Sequence, residues 1–167
     1  MKFLQRSLLI VLVVIIGTAS ANAQKNSIVG KWKVASLNVE GLSIDLENPE
    51  ATRKLLADQI QKESGKTPDS ATISMAYNMM TMIFEGMRME FTASGKGIYV
   101  IPDPSSGMKT DTANYTVDYT KGVLNTVSKE DGVEKKEQMA IKFEGDYLFL
   151  TKTDKNGETI KLKRAKE

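Results

Sequence analysis

From residue 88 to the end of the chain, apolar and polar side chains alternate with a period of two, and short Gly-, Asp- and Asn-containing turns break the pattern at regular intervals. Met89 and Phe91 alternate with Arg88, Glu90 and Thr92; Tyr115, Val117 and Tyr119 alternate with Asn114, Thr116 and Asp118; Met139, Ile141 and Phe143 repeat the theme. A period of two is the mark of a strand with one buried face. The turns "SGKG" at 94–97, "TKG" at 120–122, "EDG" at 130–132, "EGD" at 144–146 and "DKNG" at 154–157 are hairpin signals. They predict a run of seven strands. An eighth precedes them: in "GKWKVASLNV" at 30–39, Trp32 and Val34 share one face, with Lys31 and Lys33 on the other. Eight antiparallel strands joined mostly by tight turns form a meander, and a meander of that size hides its edges best by closing into a barrel. Its interior has room for packed side chains or one small ligand.

Between the first and second of these strands the period changes to that of helices, over about residues 48–86. Asn48 is placed as an N-cap, Pro49 as the first helical residue and Gly65 as the stop. Leu55, Leu56 and Ile60 give this helix one apolar stripe, which predicts a surface helix lying on the barrel. A second helix has start signals in Thr67, as cap, and Pro68, with Asp69 favourable in the first turn. Met75, Met79 and Met82 mark one of its faces; Ile73, Met80, Ile83 and Met87 mark another. A helix apolar on both faces is expected to be covered on both. It either lids the barrel mouth and lines a pocket, for which flexible methionines are suited, or fills the entrance as core, the commoner fate of apolar helical stripes.

What the chain lacks narrows its chemistry. It has no Cys and no His. That removes disulfides, thiol nucleophiles, thiolate and imidazole metal ligands, and Ser-His-Asp machinery. Acids such as Glu85, Glu90 and Asp118 are present, but no spacing singles out a catalytic pair, so no enzymatic activity, metal or cofactor is expected. "KEDG" at 129–132 and "DKNGE" at 154–158 read as turns, since calcium loops need more ligands at fixed spacing.

The first residues carry Lys2 and Arg6, an apolar run over 8–16, and Ala21-Asn22-Ala23, which together read as an export signal over 1–23. The run is shorter than the roughly 20 residues that span a bilayer. The expected mature chain, 24–167, is one domain, exported to the periplasm or beyond, not membrane-spanning, and without a lipobox cysteine. Lys2 and Arg6 account for the excess of 23 basic over 21 acidic residues. The mature chain is therefore balanced, which gives no support to a nucleic-acid partner.

Gly30-Lys31-Trp32 at the start of the first strand of an eight-stranded meander resembles the lipocalin signature. The mature chain as a whole is similar to the lipocalin-like, calycin-type domains of exported Bacteroidetes proteins. The resemblance implies that Trp32 plugs the closed end of the barrel and that a basic residue near the end of the last strand packs over its indole. In "ETIKLKRAKE", Arg164 shares a face with Ile160 and Leu162 and takes that place. Such a cation–π contact is worth about 1–2 kcal/mol when partly desolvated. The chain departs from the family in its two inserted helices and in having neither a helix after the barrel nor a disulfide.

The resemblance also implies a small apolar or amphipathic ligand inside the barrel. Val34, Ser36, Asn38, Met89 and Phe91 are candidate lining residues from the first two strands. Tyr115, Val117 and Phe143 join them from later strands, and Met75 and Met79 from the helix. Ser36 and Asn38 share Trp32's face if the strand is regular, and point outward if a bulge intervenes. The alternative is a non-catalytic cell-envelope protein with a filled barrel, docking a protein partner through the Met-rich helix or a barrel face. Asp69-Ser70-Ala71 and Asp111-Thr112-Ala113 resemble the O-glycosylation sequon of Bacteroidetes secretory proteins, with Ser70 and Thr112 as acceptors.

Overall fold

The computed structural model describes residues 27–39, 42–103, 107–130, 132–153 and 157–166. The export signal expected over 1–23 lies outside the described residues, as do most of the turn at 154–157 and Asp131. Among the described residues there are nine strands: β1 (Gly30–Val39), β2 (Leu42–Asp45), β3 (Arg88–Phe91), β4 (Lys96–Asp103), β5 (Gly107–Asp118), β6 (Val123–Glu130), β7 (Val133–Glu144), β8 (Tyr147–Lys152) and β9 (Thr159–Arg164). Two helices, α1 (Pro49–Ser64) and α2 (Ser70–Gly86), separate β2 from β3.

All neighbours are antiparallel, and β9 returns to pair with β1, so the sheet closes into the expected barrel. The ninth strand needs no ninth place in the wall. β3 pairs with Gly30–Lys33 of β1, and β2 pairs with Ser36–Val39 on the same edge of that strand. Together they occupy one wall position, and the helices leave the wall between them. The insertion therefore follows the second strand rather than the first. The signal for β2 was the brief Leu42/Ile44 alternation, two positions too short to stand out.

Local chemistry sets the helix ends. The Asn48 side chain accepts from the Ala51 N–H, Pro49 opens α1, and Gly65 closes it at φ +69°. Buried Thr52 ties α1 to the end of β2: its hydroxyl donates to the Asp45 carbonyl (2.8 Å) and accepts from the Asp45 N–H (3.1 Å). In α2 the cap is Asp69, which accepts from the Thr72 N–H at 2.7 Å; Thr67 and Pro68 lie before the helix. A carboxylate there also meets the positive end of the helix dipole.

One face of α2 packs as core, through Phe84, Met80 and Met87. The other does not. Met75, Met79 and Met82 are 69%, 56% and 68% exposed, and Ile83 is exposed too. The expectation of cover on both faces fails because α1 reaches α2 from one side only. There Arg53 lies 4.3 Å from the Tyr77 ring and donates to the Ser74 hydroxyl.

Candidate functional site: a sealed floor and a charged mouth

The floor is built around the single tryptophan. Trp32, 1% exposed, donates its indole N–H to the Ile28 carbonyl at 2.7 Å. The Arg164 guanidinium lies 4.4 Å from the centre of its ring. That guanidinium also donates to the carbonyls of Val29 (3.1 Å) and Ser27 (2.7 Å), so the incoming chain is stitched across the barrel end. Gly30 is required beneath it. Its φ is +136°, and a Cβ there would sit 2.8 Å from the guanidinium. The Ile28 N–H donates to the Tyr119 hydroxyl, and Tyr119 stacks on Phe143. Phe91 completes the floor, meeting the Tyr115 and Tyr99 rings edge-on at 5.2 and 6.2 Å.

Above the floor the ladder parity places Met89, Tyr99, Tyr115, Val117, Met139 and Ile141 on the inner face, half-buried and packed on the core. The Tyr99 hydroxyl is pushed up to about 12, first by burial and then by the charge of Glu137. It therefore stays protonated at neutral pH and can donate a hydrogen bond. Nearer the mouth the same face turns ionic: Lys109 pairs with Asp111 (3.2 Å), and Lys135 with Glu137 (3.4 Å) and Glu130 (3.9 Å). Lys152 pairs with Glu158 beside them.

The candidate residues divide as follows. Val34 and Phe91 are buried in the floor, and Met89, Tyr115, Val117 and Phe143 are half-buried against it. Ser36 and Asn38 face outward. A bulge between Val34 and Ser36 resets the alternation, so Ser36 pairs with outward Lys161, and Leu37 takes the inner place opposite Ile160. Met75 and Met79 lie on the open face of α2, away from the barrel. Tyr99, Met139, Ile141 and the ionic residues were not singled out in the sequence, although their alternation placed them on the inner face. Glu85 ends α2, Glu90 pairs outward with Lys31, and Asp118 holds the β5–β6 turn by accepting from the Thr120 and Lys121 N–H groups, so these acids do not converge. Among the described residues no cluster of three or more metal-ligating side chains occurs, and no helix is long and apolar enough to cross a membrane.

The wall itself parts near the mouth. The β5–β6 ladder stops at Asn114 and Val127; beyond it β5 pairs only with β4, and β6 only with β7. Ala113 and Ser128, of inner-face parity, line the resulting cleft of about 330 Å³ together with outward Thr112, Asn114, Val127 and Lys129. Continuing the register would set Asp111 directly opposite Glu130, and like charges so placed oppose pairing.

No protein-family model matches the chain, and no curated protein matches its sequence. Solved structures do match. A DUF4847 family protein from Bacteroides vulgatus superposes with a TM-score of 0.53 at 13% identity, over 83% of this chain and 94% of that one. A lipocalin-like protein from Bacteroides uniformis gives 0.48 at 10% identity, over 83% and 98%. The fold is lipocalin-like. At these identities the likeness is one of architecture, and the site must be read from this chain's own residues.

Proposed function

We infer that this lipocalin-like barrel is a non-catalytic binding module for a small amphipathic molecule. One observation carries the reading: the inner face passes within a few residues from a sealed aromatic floor, through half-buried Tyr99, Tyr115, Met139 and Ile141, to the charges of Lys109, Asp111, Lys135 and Glu137. An apolar body suits the middle zone and a polar head the rim, with the Tyr99 hydroxyl as a donor between them. Native mass spectrometry of the protein from its own host tests this. We expect a co-purifying small-molecule adduct, diminished in Tyr99→Ala and Ile141→Ala and unchanged in Met75→Ala. Adduct-free protein from several preparations sinks the reading. Export is part of the same proposal, supported by the sequence of residues 1–23; N-terminal sequencing of the host's protein should begin at Gln24.

The exposed methionines of α2 favour a second reading, in which the protein docks a partner through that helix.

A further inference from the structure

We propose that the cleft between β5 and β6 seats the head of an anionic, single-chain amphiphile, whose tail enters the barrel sideways past Ala113 and Ser128. This rests on the amphiphile-binding reading above and names the head and its place. The main chain opens the site. The Tyr115 N–H donates to the Gly95 carbonyl, so the odd-numbered residues of β5 bond to β4 and the even-numbered ones turn toward β6. The Ile141 N–H donates to the Gly122 carbonyl, so the odd-numbered residues of β6 turn toward β5. Thr112 and Lys129 therefore aim their N–H groups into the cleft, one step beyond the last shared pair, Asn114 and Val127. Main-chain N–H groups left without a ladder are ready donors to a ligand oxyanion.

Charge sets the direction of the ligand. Lys96 and Lys129 line the cleft, both exposed, and neither has an ion-pair partner among the described residues. Glu134, the acid on the cleft wall, is held by Lys136 at 3.1 Å. The outer face here thus carries Lys96, Lys129 and Lys136 against Glu134. The inner face has the opposite balance, with Asp111, Glu130 and Glu137 against Lys109 and Lys135. An anionic head is favoured on the outside and opposed on the inside. The outward Thr112 hydroxyl and Asn114 amide add neutral donors. Ala113 and Ser128 are small, which leaves an alkyl chain a way toward half-buried Tyr99 and Tyr115. The volume of about 330 Å³ suits a head and its first carbons, with the rest of the tail inside the barrel.

Calorimetric titration of the delipidated protein, purified from its host, with dodecanoate, dodecanol and dodecyltrimethylammonium varies the head on a constant tail. Dodecanoate should bind roughly tenfold tighter than dodecanol or more, and the ammonium compound no tighter than dodecanol. Lys96→Ala with Lys129→Ala should remove the preference for dodecanoate and leave dodecanol binding as it was, whereas Lys109→Ala with Lys135→Ala should leave the preference in place. In NMR spectra the Thr112 and Lys129 amide signals should shift with dodecanoate and not with acetate at the same concentration. If none of the three probes binds, the amphiphile reading itself fails, and this proposal with it. If all three bind alike, that reading stands and the head assignment is overturned. A preference lost with the Lys109 and Lys135 pair instead puts the head at the mouth and overturns it too. Acetate shifting those amides as strongly as dodecanoate makes the cleft a site for free anions and likewise overturns it.

Discussion

The two ends of the barrel are built on opposite principles. At the floor, side chains far apart in sequence are locked by several kinds of contact at once: Trp32 is buried, hydrogen-bonded to Ile28 and covered by Arg164, which itself holds two carbonyls. At the mouth, two hairpins, β4–β5 and β6–β7, run past their last shared pairing, and their residues 107–112 and 133–138 are exposed. The floor gains from apolar burial, which scales with area. The mouth relies on exposed ion pairs worth about 0–1 kcal/mol each. Stability should therefore be concentrated at one end, leaving the other able to adapt to a bound molecule.

The sharpest test of that contrast is Trp32→Ala. It removes the largest fully buried side chain and leaves Arg164 without its ring. Urea unfolding should show a loss of about 3–5 kcal/mol. Tyr99→Ala, at the start of the mouth, should cost clearly less. Equal losses would erase the distinction between the two ends.

Gly30→Ala comes next. The new methyl group meets the Arg164 guanidinium and forces an unfavourable φ, so a loss of about 1–3 kcal/mol is expected by the same measurement. The guanidinium is the flexible end of a side chain and can retreat, which keeps this below the Trp32 effect. In combination with Arg164→Ala, the backbone part of the penalty should remain and the steric part vanish.

A third element lies on the outer wall and belongs to neither end. The Glu47 carboxylate, in the turn after β2, accepts from Lys163 (2.6 Å), Lys161 (3.1 Å) and the Tyr147 hydroxyl (2.9 and 3.0 Å). The Lys163 bond is the largest cause holding it down to about 2, with Lys161 and Tyr147 assisting against the opposing cost of burial. Because the folded state lowers this value from 4.5, the unfolded chain takes up the proton first as pH falls. The contribution is full above about 4.5 and disappears as pH drops toward about 2. Solvent at this surface limits it to about 1 kcal/mol. Glu47→Gln should remove that amount at pH 7 and flatten the acid side of the stability curve between those values. A curve of unchanged shape would show that the cluster does not couple to folding.

The barrel was legible because alternation and turn residues are local signals that repeat, and the floor because Gly30, Trp32 and Arg164 sit at recognisable places in strands. The sequence ran out where tertiary structure overrode a local pattern. The bulge after Val34 turns Ser36 and Asn38 outward, one of the two orientations left open, since nothing in "VASLN" decides between them. The methionine face of α2 was expected to be covered because apolar faces usually are, yet no described element packs on it. The parted wall was hidden for another reason. It depends on which residues of β5 and β6 come opposite one another, a property of register that neither strand carries alone.

That parting supports the smallest prediction. If the Asp111–Glu130 juxtaposition is what stops the β5–β6 ladder, relieving it should let the wall zip further toward the mouth. Asp111→Thr removes one charge, keeps a good strand former and leaves Glu130 with Lys135. The gain in stability should be only about 0.2–1 kcal/mol. The clearer readout is hydrogen exchange: the amides of Thr112 and Lys129, next in line after the Asn114–Val127 pair, should become protected. Glu130→Thr should act in the same direction, since either charge suffices to break the clash, and the two together should gain little more than one. If neither variant slows exchange at those amides, the hairpins diverge through the twist of the sheet, and the charges follow the split rather than cause it.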